Sequence, residues 1–272
     1  MTIQRATLDG AEIEYEVQGN GEPVLLIHGS LLADSCRPLL TEPDLTRQFQ
    51  IIHYHRRGYA GSSRVQAART MNDWARDADI LLQHLEIADA HVVGQSYGGA
   101  IALQLTLDRP ERVRSLALLE PPLQSWVPSG PGFWTWLDSA VQVYTSGDKT
   151  GVTQTMLEGL MGPNFRDIIS RVLPPGAFEQ AIVDCDTFFQ FEAQTLRQWQ
   201  ISPQEVGGIR VPVLSMLGTD TMPVFREVHQ LIKQWHPAAA EATVPRGTHM
   251  LPIVNPTSVA ANLAAFFSGL GR

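Results

Sequence analysis

Apolar residues follow two rhythms along this chain. Short β-branched runs alternate with longer stretches whose apolar positions recur every three to four residues, the pattern of strands joined by crossover helices in a mostly parallel sheet. Val24–Ile27 is apolar throughout and suits a buried central strand. Gln50–His55, His91–Gly94, Val113–Leu119, Val211–Leu217 and Glu241–Val244 continue the strand series. Between them, Met71–Leu85 sets Trp74, Ala78, Leu81, Leu82 and Leu85 on one helical face, and Ser96–Leu107 reads as a buried helix closed by Asp108-Arg109-Pro110. Further helices are expected near Phe225–Trp235 and Ser258–Phe267. The start of the chain differs. Gln4–Thr7 and Glu12–Gln18 flank Asp9-Gly10, a hairpin signal, so the sheet is expected to open with antiparallel strands. From Leu123 to about Gly208 the strand rhythm stops, and helical segments broken by Gly and Pro carry Trp126, Trp134 and Trp136. The division expected is an α/β core at 1–122 and 209–272 with a helical cap at 123–208.

Composition agrees with one sizeable core. Of the 272 residues 44% are hydrophobic and 18% charged, enough apolar surface to offset the entropy of ordering the chain. A net charge of −8 repels phosphate backbones, which argues against nucleic acid as a partner. Two cysteines, Cys36 and Cys185, lie in no metal-binding or redox spacing and read as buried thiols. Neither a metal nor an organic cofactor is expected. The first ten residues show no apolar run behind a basic start, and no stretch reaches the ~18 apolar residues of a membrane span. A cytoplasmic protein without a membrane partner is the expectation.

The candidate chemistry begins at Gly94-Gln95-Ser96-Tyr97-Gly98, a G-x-S-x-G motif followed by Gly99, placed where a strand hands over to a helix. A serine on so sharp a turn is pushed out of the sheet by strained backbone, and the glycines avoid clashes with neighbouring chain. The helix that follows turns its positive end toward developing negative charge.

Four segments together resemble the α/β-hydrolase fold family: His28-Gly29 after the buried strand, Arg57-Gly58-Tyr59-Ala60-Gly61-Ser62, the Ser96 turn, and Gly247-Thr248-His249 before the last helix. The resemblance implies a sheet of about eight strands flanked by helices, a cap inserted after strand six, and a Ser-His-acid triad. It implies Ser96 as nucleophile and His249 as base. It also implies an oxyanion hole from the backbone N–H groups of Ser30 and Tyr97, with the Ser30 hydroxyl a further candidate donor. His28 is read as orienting the oxyanion loop, and His53 and His55 as structural, although His55 stands where many relatives carry an aspartate.

Two carboxylates compete for the acid. Asp220 follows strand seven, but the usual position, third after the glycine, is Thr221. Glu120 ends strand six, as in a branch resembling haloalkane dehalogenases and lactone hydrolases, and is favoured, with Asp220 the alternative. A serine nucleophile argues for acyl transfer, so the expected substrate is a small, hydrophobic carboxylic ester or lactone. C–C bond hydrolysis, cofactor-free haloperoxidase or perhydrolase chemistry, and a slow-turnover ligand receptor are alternatives on the same fold. Candidate substrate contacts are His28, Leu31, Trp126, Phe133, Trp134 and Trp136, the aromatic ones alternatively packing the cap's own core. Oligomeric state is not legible.

Overall fold

The computed structural model describes residues 2–271. Its strands β1 (Gln4–Leu8), β2 (Ala11–Gln18), β3 (Glu22–Ile27), β4 (Phe49–Tyr54), β5 (Ala90–Gln95), β6 (Val113–Leu119), β7 (Val213–Gly218) and β8 (Ala240–Val244) form one sheet in the order β1-β2-β4-β3-β5-β6-β7-β8. β2 is antiparallel to β1 and β4, and the remaining pairs are parallel. Eight strands and the antiparallel opening agree with the hydrophobic rhythm.

Period-two alternation sorts each central strand between two apolar layers. Leu25 and Ile27 of β3, Val92 of β5 and Leu118 of β6 share one layer with the helices Met71–His84, Tyr97–Asp108 and Pro223–Trp235. Val24, Leu26, Val93, Ala117 and Leu119 share the other with the helix Pro256–Ser268. Both faces are covered, which is why Val24–Ile27 and Leu116–Leu119 are apolar without a break. The helix Met71–His84 starts at a reciprocal cap: the Thr70 hydroxyl accepts from the Asp73 N–H, and the Asp73 carboxylate accepts from the Thr70 N–H.

Between β6 and β7 the chain builds helices Gly130–Thr145, Lys149–Met161, Phe165–Val172, Ala177–Thr187, Ala193–Gln198 and Pro203–Gly207, with a π-helical turn at Phe188–Glu192. Their apolar side chains, including Leu137, Val152, Leu157, Phe165 and Phe188, make a third cluster that takes in Leu31, Leu32, Met250 and Ile253 from loops at the ends of β3 and β8. No helix among the described residues is long and apolar enough to cross a membrane. Cys36 and Cys185 are both buried and unpaired by disulfide.

At the end of β4, His55 bridges two carboxylates: Nδ1 lies 3.0 Å from Glu14 Oε2 and Nε2 3.1 Å from Asp34 Oδ1. Both ring nitrogens donate only in the imidazolium. Burial opposes that charge, but the bonds to Asp34 and Glu14 outweigh it and raise the His55 pKa to about 9. The His55 bond in turn holds Glu14 down at about 2, against its own burial. His55 therefore contributes stability that is fully present below its unfolded value near 6.5 and is lost as pH rises through about 9. Glu14 contributes stability present above about 4.5 and lost as pH falls through about 2. The His55 share is on the order of 2–3 kcal/mol, several degrees in Tm. His55→Gln should accordingly melt below the wild type near pH 6, with the gap closing by about pH 10. Melting curves across that range decide the matter, and a gap of constant size would contradict the charged bridge.

Candidate active site

The C-terminal ends of β5, β6, β7 and β8 lie side by side, so loops far apart in sequence meet at one edge of the sheet. Ser96 follows β5 with φ 51° and ψ −124°, a conformation L-residues rarely adopt. Its backbone is pinned on both sides: the Ser96 N–H donates to Leu119 O at 2.9 Å, and Ser96 O accepts from the Gly99 N–H at 2.7 Å. The turn closes tightly because Gly98 lacks a side chain; a Cβ there would stand 2.1 Å from Ile27 O. Glu120, directly after β6, and Leu31, in the loop after β3, are also non-glycine residues at positive φ, 50° and 70°. Strained backbone of this kind costs about 1–3 kcal/mol per residue and persists where surrounding contacts enforce it.

Three side chains form one hydrogen-bonded line. Ser96 Oγ lies 2.8 Å from His249 Nε2, and His249 Nδ1 lies 2.8 Å from Glu120 Oε2. Glu120 is 2% exposed, and its carboxylate also accepts from the Gly218 N–H at 2.9 Å and the Thr221 hydroxyl at 2.8 Å. With the Nδ1 proton committed to Glu120, the Nε2 lone pair faces the serine. The imidazole stacks on the Phe225 ring, centroids 3.9 Å apart and planes 15° apart, which fixes its orientation.

Asp220 is elsewhere. It is exposed and accepts from the neighbouring Thr219 hydroxyl at 2.9 Å. The inward position, third after Gly218, belongs to Thr221, which donates to Glu120.

The loop after β3 runs beside Ser96, since a Cβ on Gly29 would stand 3.0 Å from Ser96 Cβ. Among the described residues the Ser30 N–H has no protein acceptor. The Tyr97 N–H belongs to the first turn of a helix, where amides lack intrahelical partners. Two free donors thus flank Ser96. The Ser30 hydroxyl is not a third, because it donates to Glu192 at 2.6 Å.

Ser96, His249, Ser30 and Tyr97 line a narrow cavity of ≈ 40 Å³ whose other walls include Leu31, Phe133, Trp136, Leu137, Met156, Phe188 and Phe225. Leu31, Phe133 and Trp136 are thus brought to the cavity. Three expected contacts are not. Trp126 packs edge-on against Trp199 and Trp235 in the core, and Trp134 lies under the Arg197 guanidinium, 4.5 Å from ring centroid to carbon. His28 is fully buried with both nitrogens used: Nε2 accepts from the Arg56 N–H at 2.9 Å and Nδ1 meets Gly29 O at 2.7 Å. Burial and the Arg56 charge keep its pKa well below the usual histidine value, so the ring is neutral.

Sequence reasoning missed three residues here. Gln95, the residue before the serine, is wholly buried; Oε1 accepts from the Gly29 N–H at 3.1 Å and Nε2 donates to His249 O at 3.2 Å, tying the Gly29 and His249 loops together. Glu192 ties the helical insertion to the Ser30 loop. Gln124 lines the cavity with its Oε1 buried and unpaired. A glutamate or glutamine among apolar neighbours was the available signal, but nothing in the sequence names the partner.

A profile of the alpha/beta hydrolase fold matches residues 22–256. The chain belongs to the alpha/beta hydrolase family. Among curated alpha/beta hydrolase relatives, it is 38% identical over 113 residues to the 2-hydroxymuconate semialdehyde hydrolase of Pseudomonas sp. (strain CF600), covering 40% of each chain. It is 32% identical over 130 residues to the non-heme haloperoxidase of Rhodococcus erythropolis, covering 45% of this chain and 46% of that one. The chain spans less than half the length of the curated relatives it matches. Its fold extends further: a thermophilic esterase from Thermogutta terrifontis superposes over 100% of both chains with a TM-score of 0.80 at 19% identity. This last likeness is one of architecture.

Proposed function

We propose that this alpha/beta hydrolase cleaves a neutral, apolar carboxylic ester or lactone through an acyl-enzyme on Ser96. The observation that carries the reading is the unbroken line from Glu120 through His249 to Ser96, ending between two free amides on an apolar cavity. Ser96 Oγ attacks the carbonyl carbon while His249 Nε2 takes its proton, and the tetrahedral oxyanion accepts from the Ser30 and Tyr97 N–H groups. Glu120 holds the tautomer that leaves Nε2 basic and stabilises the imidazolium, as does the Phe225 face beneath it. His249 then protonates the leaving alkoxide. It next activates the water that releases the acid and restores Ser96.

The helical insertion serves as a cap whose wall residues select the acyl group. A cavity of ≈ 40 Å³ is far below the roughly 300–1,000 Å³ of small-molecule sites, so entry requires the cap to shift. Among the described residues no lysine or arginine lines it. That favours neutral esters over a carboxylate-bearing substrate such as the relative's muconate semialdehyde, because a buried, unpaired carboxylate is expensive.

Fluorophosphonate labelling followed by intact-mass measurement tests the nucleophile. One adduct on the folded wild type and none on Ser96→Ala are expected; an unlabelled wild type sinks the reading. Steady turnover of a short p-nitrophenyl ester beyond one equivalent separates an enzyme from a receptor. Among p-nitrophenyl esters, a carboxylate at the acyl terminus should lower kcat/KM by about 100-fold or more against a methyl-ended chain. Equal values would remove the argument for a neutral substrate.

A further inference from the structure

Glu192, in the cap, has no exposed surface, yet it is a carboxylate. It ends the π-helical turn Phe188–Glu192, an irregularity that often marks functional sites. Oε1 accepts from Arg56 Nη1 at 2.5 Å, and Oε2 accepts from the Ser30 hydroxyl at 2.6 Å and the Tyr59 hydroxyl at 2.8 Å. Arg56 is 1% exposed and continues the network: Nε donates to His28 O at 3.0 Å and Nη2 to Gly29 O at 2.8 Å. Its guanidinium also lies over the Tyr97 ring, 5.2 Å from the centroid. Apart from the ion pair itself, these side-chain bonds therefore end on the His28–Ser30 loop or on the Tyr59 hydroxyl, whose ring packs edge-on against His28.

A buried ion pair is weak evidence for stability, because desolvation of both charges offsets their attraction. What this pair does achieve is geometric. It grips the two carbonyls that precede Ser30 and the Ser30 hydroxyl itself, while the Ser30 N–H, beside Ser96, has no acceptor among the described residues. We propose that Glu192 is a positioning residue that acts through Arg56 and the Ser30 hydroxyl to aim the Ser30 N–H, so that the oxyanion hole is complete only when the cap is seated. The inference rests on the acyl-transfer reading above.

Three variants test it: Glu192→Gln, Ser30→Ala, and the double variant, each compared with the wild type on a p-nitrophenyl ester and with a phenylboronic acid whose tetrahedral serine adduct mimics the intermediate. Glu192→Gln should lower kcat by about 10- to 100-fold with KM changed less than about threefold, and should weaken boronate inhibition by a similar factor. Ser30→Ala keeps the amide and the Arg56 pair and removes only the hydroxyl bond; kcat should fall by about 3- to 10-fold with KM held. The double variant should be no worse than Glu192→Gln alone, since the Ser30 hydroxyl acts only through Glu192. Additive losses, unchanged kcat, or boronate affinity that stays constant while activity falls would each overturn the proposal. If Glu192→Gln does not fold, Ser30→Ala decides alone: wild-type kcat and boronate affinity would overturn it. Failure of the parent reading looks different, because the wild type itself would then neither label with fluorophosphonate nor turn over, and both proposals would fall together.

Discussion

Ser96→Ala is expected to lower kcat for ester hydrolysis by about 10⁶-fold, with His249→Ala costing a similar factor and the double variant little more. On the proposed mechanism Ser96 and His249 act as one unit across a 2.8 Å bond, so removing either abolishes the same step. What survives is the contribution of the two amides and of binding. The fold should be retained: the bonds that pin residue 96 are backbone bonds to Leu119 and Gly99, which alanine keeps. A positive φ at alanine costs no more than at serine within roughly 1 kcal/mol. Steady-state kinetics together with thermal melts check both halves. Activity within tenfold of the wild type, in a protein free of contaminating esterase, would remove Ser96 from the mechanism.

The second large effect separates the two carboxylates. Glu120→Gln should lower kcat by about 10⁴-fold, because an amide in that place no longer enforces the Nδ1–H tautomer or stabilises the imidazolium. Asp220→Asn should stay within about threefold of the wild type, as its side chain is exposed and, among the described residues, bonded only to Thr219. Loss in Asp220→Asn with Glu120→Gln near normal would reverse the assignment. Thr221→Val provides a graded control. It removes one of the bonds that hold Glu120 in place while leaving the carboxylate and the His249 contact.

Much of this architecture was legible because the strands obey a period that physics imposes. A strand segment covered on both faces must be apolar on both, so Val24–Ile27 and Leu116–Leu119 announce themselves. The turn at Ser96 is equally visible, since only small neighbours such as Gly98 permit it. The short helices at Arg37–Thr41 and Pro43–Thr46 were not anticipated, because so few residues carry no periodicity. The choice between Glu120 and Asp220 hinged on one residue of loop register, which local sequence leaves open. The tryptophans illustrate another limit. Trp126 and Trp136 have the same composition signal, yet one packs half-buried against the core and the other walls the cavity, and the packing of distant Trp199 and Trp235 decides between them. Glu192 meets Ser30 across 162 positions, a pairing no local pattern encodes.

Glu120 directly follows β6 and stands immediately before Pro121, Pro122 and the first helical turn at Gln124–Trp126. On the proposed acyl-transfer reading, the junction at which a foreign lid would be grafted is therefore part of the proton-handling machinery. A chimaera spliced upstream of Pro121 would disturb the φ 50° geometry that carries the carboxylate to His249, whereas one joined beyond Leu123 would spare it. Such a transplant would still lose the anchor of the Ser30 loop unless the incoming segment carried its own acidic residue to meet Arg56.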